Sequence, residues 1–290
     1  MKNSIVISAF FKLIRFNYSL FSAFGVLLSG LLAGDLRGFQ GEYLISFAII
    51  FLSAVGSFAF NDYFDYKVDQ HNNRVDRPLV LNLIPRRTAL YTGIGSLILV
   101  YLLSLFLNPL ARFIVIVGVS LFYFYSIRLK RIIFVNNVLI ASAYVLTLLL
   151  GTLVSNSFVE PLILYFSIIG FIVGLAMEIM IDIIDVKGDK TFQIQTLSTR
   201  FGIKSAAQIS AFLYLLIVIL DPLPFFVMID SRLYLDYVFL LGILIPIVSY
   251  LLIFKDLIRN QTPKGIFDLK RRLFITMQIG SLVYLLGVLL

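Results

Sequence analysis

Apolar positions in this chain come in long runs, and the polar ones are pushed into the gaps between them. Runs long enough to cross about 30 Å of hydrocarbon, at roughly 20 residues each, occupy residues 17–34, 43–61, 88–107, 109–126, 132–154, 160–181, 205–220, 236–254 and 273–290. They predict nine transmembrane helices. "NPLAR" divides the third from the fourth, because Pro109 suits the first turn of a new helix, and "DPLP" closes the seventh. The opening "MKNSIVISAFFKLIRFNYS" has charges on both sides of a short apolar patch and no small-residue cleavage site. It is expected to lie along the interface as an amphipathic lead-in, not to act as a signal peptide. "TPKG", residues 262–265, is expected to be a simple turn in the last polar loop.

Composition supports the same solvent. Hydrophobic residues make up 60% of the 290 positions and charged ones only 14%, whereas a soluble domain is nearer half apolar and a quarter charged. The expected fold class is therefore all-α, a polytopic membrane protein, with residues 1–290 forming a single domain. Charge then sets the topology. Of the 24 lysines and arginines, all but Arg37, Arg112 and Arg232 fall in the N-terminal segment and every second loop. By the positive-inside rule the N-terminus and those loops are cytoplasmic and the C-terminus is outside. The net charge of +8 is thus first a signature of orientation. Because the basic residues are dispersed over membrane-adjacent segments, they suit lipid headgroups or a phosphorylated substrate and argue against nucleic acid as a partner. The absence of cysteine excludes disulfides, thiolate metal ligands and thiol catalysis.

The second run ends in "NDYFDYKVDQHNNRVDRP", which places Asp62, Asp65 and Asp69 at i, i+3 and i+7. A helix of 3.6 residues per turn puts them within about 60° of one another. "DIIDVKGD" repeats the spacing with Asp182, Asp185 and Asp189 at the end of the sixth run. Both runs travel toward the cytoplasm, so both triplets emerge on one side, and the chain divides into two diverged four-helix halves plus one extra helix. Carboxylates gathered in this way repel one another unless cations neutralise them. Mg2+, held by oxygen ligands and a substrate diphosphate, is the expected cation. Groups able to hold phosphate follow the triplets: Arg74 and Arg77 after the first, Lys190 after the second, and Tyr125, Arg128, Lys130 and Arg131 in "YSIRLKR".

Taken in order, N-D-x-x-D-x-x-x-D with R-x-x-R-P, then Y-S-x-x-L-K, then D-x-x-D-x-x-G-D-K resemble the UbiA superfamily of intramembrane prenyltransferases, and the likeness in topology covers essentially the whole chain. Among its branches, the two aspartate segments most resemble the archaeal one that makes digeranylgeranylglyceryl phosphate. The chain departs from that branch in having "LVLNLIP" where a P-x-G turn is usual, and Met177 and Ile181 where basic residues often stand.

The resemblance implies helices around a central cavity and a Mg2+-dependent transfer of a prenyl group from its diphosphate. Asp62, Asp65, Asp69, Asp182, Asp185 and Asp189 would hold the metal with Asn61 as a further oxygen donor. Arg74, Arg77, Tyr125, Lys130 and Lys190 would bind the diphosphate. The lead acceptor is geranylgeranylglyceryl phosphate and the alternative an aromatic quinone precursor such as 4-hydroxybenzoate. A cation-coupled transporter is the reading from another class, and it would favour acidic groups near the bilayer midplane. Glu178 lies one turn before Asp182 and suits either an outer role at the metal or a structural pair; Gly170 and Gly174 suit close helix packing. His71, the single histidine, is expected to be exposed.

Overall fold

The computed structural model describes residues 2–34, 41–127, 132–155 and 158–290. Its helices are α1 (Lys2–Leu13), α2 (Phe16–Ala33), α3 (Gly41–His71), α4 (Arg86–Ser104), α5 (Pro109–Ile127), α6 (Val135–Leu153), α7 (Pro161–Thr191), α8 (Leu197–Phe201), α9 (Ile203–Leu220), α10 (Leu223–Phe226), α11 (Tyr237–Arg259) and α12 (Pro263–Leu289). Among the described residues nine helical segments are long and apolar enough to cross a membrane, and they fall where the apolar runs predict. Helix is the physical answer for such runs, since hydrocarbon offers no partner to a backbone N–H or C=O and each segment must satisfy its own.

Local chemistry sets the ends. Gly34, at φ 81°, closes α2 in the left-handed region that favours glycine. Pro109 opens α5 and Pro161 opens α7, both at positions where the missing N–H costs nothing. The expectation of a turn at 262–265 is corrected: Thr262 caps α12, accepting from Gly265 N–H at 3.2 Å, and Pro263 is its first residue. The turn-like composition is that of a helix start, so α12 begins ten residues before its apolar run.

The two aspartate helices are the longest elements, 31 residues each. Both continue about ten residues beyond their apolar runs, because hydropathy falls there while nothing in the chain breaks a helix. They also end alike. Asn73 (φ 51°) and Gln193 (φ 55°) take the left-handed conformation. The next N–H groups, of Arg74 and Ile194, donate to the carbonyls of Asp69 and Asp189 at 3.0 and 2.8 Å. His71, exposed as expected, places Nε2 3.2 Å from Thr191 Oγ1, a contact between positions 120 apart, the spacing that also separates Asp69 from Asp189.

Packing closes the helices into a ring in which α2 touches α3 and α6, α3 touches α4 and α5, and α7 packs between α6 and α9. Helix α11 packs between α9 and α12, and α12 returns to α2 and α7. The glycine expectation for α7 finds its reason here: a Cβ on Gly174 would come within 2.7 Å of the Tyr144 ring of α6. Inside the ring is a cavity of about 740 Å³.

Candidate active site

One end of this cavity is acidic and its body is apolar. Asp65 and Asp69 from α3 and Asp182, Asp185 and Asp189 from α7 line it, together with Asn61, Arg77 and Tyr125. The extension of α3 and α7 past their apolar runs delivers the carboxylates there, and the matching turns after Asp69 and Asp189 bring the chain back over them.

Asp62 takes a different place from its neighbours. It is 1% exposed and absent from the cavity wall, and Oδ1 accepts from Arg15 Nη2 and Arg77 Nη1, both at 2.9 Å. In the arc shared by the first triplet, the cavity edge passes between Asp62 and Asp65. The spacing groups all three as metal ligands; here Asp62 Oδ1 holds two guanidinium groups, while its buried Oδ2, like Asn61 Oδ1, has no hydrogen-bond partner among the described residues. Arg77 keeps its position on the wall with Nε 3.7 Å from Asp69 Oδ2.

Arg74 also lies off the cavity wall. It is 5% exposed and binds Asp185 through Nη1 at 2.8 Å and Asp76 through Nε at 2.9 Å. Burial works against its charge, but the hydrogen bonds and charges of Asp76 and Asp185 outweigh this and raise its pKa above an already high value. Burial likewise would raise the Asp76 carboxyl, yet the hydrogen bonds and charge of Arg74 hold it below the ordinary carboxylate value. Arg74 thus positions Asp185. Lys190 stands exposed at the end of α7, outside the cavity wall. Lys130 lies outside the described residues, as do Arg128 and Arg131.

Several groups that hold the site together are not evident from motif spacing. Asn137 of α6 is fully buried and donates to Asp182 Oδ2 at 2.8 Å. Its neighbour Asn136 accepts the Tyr125 hydroxyl proton. An asparagine pair inside an apolar run is the signal that finds them, since a polar group in a membrane helix is costly without a task. Asn72 joins the two motif helices: Nδ2 donates to Asp185 O and Oδ1, both at 3.3 Å, and Oδ1 accepts from Gly188 N–H at 2.6 Å.

The donor set fits a hard divalent cation. Every candidate ligand is an oxygen, and the buried Asn61 Oδ1 has no hydrogen-bond partner among the described residues. Among the described residues no three carboxylates are drawn into a ready-made metal cluster.

A ring of membrane helices enclosing an apolar cavity with carboxylates and guanidinium groups at one end defines a multi-pass membrane protein built to hold the charged head of a lipid-like substrate. The family model of the UbiA prenyltransferase family matches residues 20–275, and the chain belongs to that family. It is accordingly a prenyltransferase.

Curated relatives named digeranylgeranylglyceryl phosphate synthase include a Thermococcus kodakarensis protein, 32% identical over 69% of this chain and 71% of its own. Another, from Saccharolobus solfataricus, is 28% identical over 97% of each chain. A structure solved in work on digeranylgeranylglyceryl phosphate synthase in membranes superposes with a TM-score of 0.71 at 24% identity, covering 98% of both chains. A UbiA homolog from Archaeoglobus fulgidus bound to DMAPP and Mg2+ superposes with a TM-score of 0.65 at 19% identity, covering 95% of this chain and 98% of that one.

Proposed function

We propose that the protein transfers a geranylgeranyl group from geranylgeranyl diphosphate to the free hydroxyl of geranylgeranylglyceryl phosphate, giving digeranylgeranylglyceryl phosphate and diphosphate. The observation that carries this reading is the polarity of the cavity, a charged pole of carboxylates, Arg77 and Asn61 opening into a long apolar body. It is supported by the relatives named for that activity.

Asn61, Asp65, Asp69, Asp182, Asp185 and Asp189 would hold Mg2+ at that pole. Bound there, the metal neutralises charge on the diphosphate and makes it a better leaving group. Arg77 presents Nε, a buried donor with no hydrogen-bond partner among the described residues, toward the same space. Asn137 and Arg74 fix Asp182 and Asp185, so the carboxylates meet the substrate without reorganising. The apolar walls take the prenyl chain and keep water from the allylic centre. Tyr18 and Tyr144 line the cavity and offer π faces to positive charge developing there. In the transfer the C–O bond to diphosphate breaks, the acceptor oxygen forms a C–O bond to the allylic carbon, and the hydroxyl proton is released. The distribution of lysine and arginine supports a cytoplasmic position for the acidic pole.

The test is product formation by the detergent-purified protein with geranylgeranyl diphosphate, Mg2+ and either geranylgeranylglyceryl phosphate or 4-hydroxybenzoate, with a chelator control. A diether formed from the glyceryl phosphate and abolished by EDTA is the expected result. Product from the aromatic acid alone would overturn the acceptor, and no product from either would overturn the reading.

A further inference from the structure

The cavity has a second charged wall, which the aspartate motifs do not account for. Lys270, two turns into α12, lines it together with Tyr18 and Arg15 at the start of α2. The Lys270 ammonium stands 5.3 Å from the centre of the Tyr18 ring, which in turn packs 4.5 Å from the ring of Phe274, one turn further along α12. Arg15 lies 4.3 Å over the Phe58 ring and spends Nη2 on Asp62. Lys270 is half-buried and, among the described residues, makes neither a hydrogen bond nor an ion pair. The charges near enough to act on it are Arg15, Glu178, Arg74 and Asp76, two of them of its own sign.

A part-buried ammonium beside a guanidinium, held against aromatic rings in place of a carboxylate, is costly in a low-dielectric site unless an anion joins it. Glu178 and Asp76 act on it only through their charge, with no ion pair to it among the described residues, so a ligand anion is the direct partner the site can take. The donor diphosphate already has the pole on α3 and α7, where the oxygen ligands lie. We infer that Lys270, with Arg15 beside it, forms a separate anion subsite on the α2–α12 wall that takes the phosphate of the acceptor. This rests on the glyceryl phosphate acceptor proposed above. Phosphate anchored on that wall leaves the free hydroxyl of the glyceryl group facing the aspartate pole, where the allylic carbon sits. The subsite thereby selects phosphorylated acceptors over neutral ones.

The experiment has two arms. In turnover, Lys270→Gln should raise KM for geranylgeranylglyceryl phosphate at least tenfold while KM for geranylgeranyl diphosphate stays within twofold. Lys270→Arg should restore most of the loss, and the wild-type preference for the phosphorylated acceptor over geranylgeranylglycerol should shrink in Lys270→Gln by the same factor. In the second arm, acetic anhydride labels wild-type protein without substrates, and glycerol phosphate should slow acetylation of Lys270 while leaving Lys264 unaffected. An unchanged acceptor KM in Lys270→Gln, or a rise in KM for both substrates alike, would overturn the subsite. If wild-type protein forms no diether from the glyceryl phosphate, the functional reading falls by itself, and the subsite then stands or falls on whether glycerol phosphate protects Lys270.

Discussion

Asp62 and Asp65 lie one turn apart on α3 and face different tasks. Asp62 is buried between Arg15 and Arg77, and its removal leaves two guanidinium groups without their shared carboxylate. Breaking a buried ion pair on one side costs about 3 kcal/mol or more, so Asp62→Asn should lower the thermal unfolding temperature clearly. Asp65 lines the cavity, and Asp65→Asn should keep the fold while lowering turnover by roughly a hundredfold or more, the scale of losing one preorganised electrostatic group. Unfolding curves and rates for the two purified variants check this; equal loss of stability in both would remove the distinction. The aspartates themselves were legible in the sequence, because spacing places like residues on one arc. Which side of the cavity edge each falls on was not, since that depends on neighbours such as Arg15, 47 residues away in the chain. Asn137 escaped for another reason: averaging over an apolar run hides even the adjacent amides of Asn136 and Asn137.

At the scale of elements, the site depends on how the ends of α3 and α7 meet. Gly188 allows that approach, because a Cβ there would come within 2.5 Å of the Asn72 amide nitrogen. The same amide holds Gly188 N–H and Asp185, so moving it disturbs the carboxylate face directly. Gly188→Ala should destabilise the protein by about 2 kcal/mol, as forcing atoms into a packed contact does, and lower activity through Asp185. Asn72→Ala removes the obstacle, so the double variant should lose less stability than the two single ones together. Additive losses in thermal unfolding would show that the two residues do not share this contact. Hydropathy located both helices and stopped about ten residues short on each, at the stretch where the chemistry lies. The same bias placed Lys270 in a loop, although Thr262 and Pro263 start α12 ahead of it. Capping residues carry that boundary, whereas apolar content does not.

For the whole molecule, the number of crossings and the side on which the acidic pole opens are one question. On the proposed topology, the nine candidate crossings among the described residues put the ends of α3 and α7 on the same side as the N-terminus, and the lysine and arginine distribution supports the cytoplasm as that side. A diphosphate headgroup does not cross hydrocarbon unaided, so the orientation also decides from which compartment the donor must come. The chain contains no cysteine, so single cysteines report position without background. Lys204 is exposed at the start of α9, at the end of the molecule where α7 finishes, and Tyr237 is exposed at the start of α11, at the other end. A membrane-impermeant maleimide should label Lys204→Cys only from the cytoplasmic face of sealed vesicles and Tyr237→Cys only from the outer face. The reverse pattern would turn the molecule over and place the acidic pole outside. Labelling of both from one face would mean that α9 does not cross the membrane between them, and the nine-crossing topology would have to be given up.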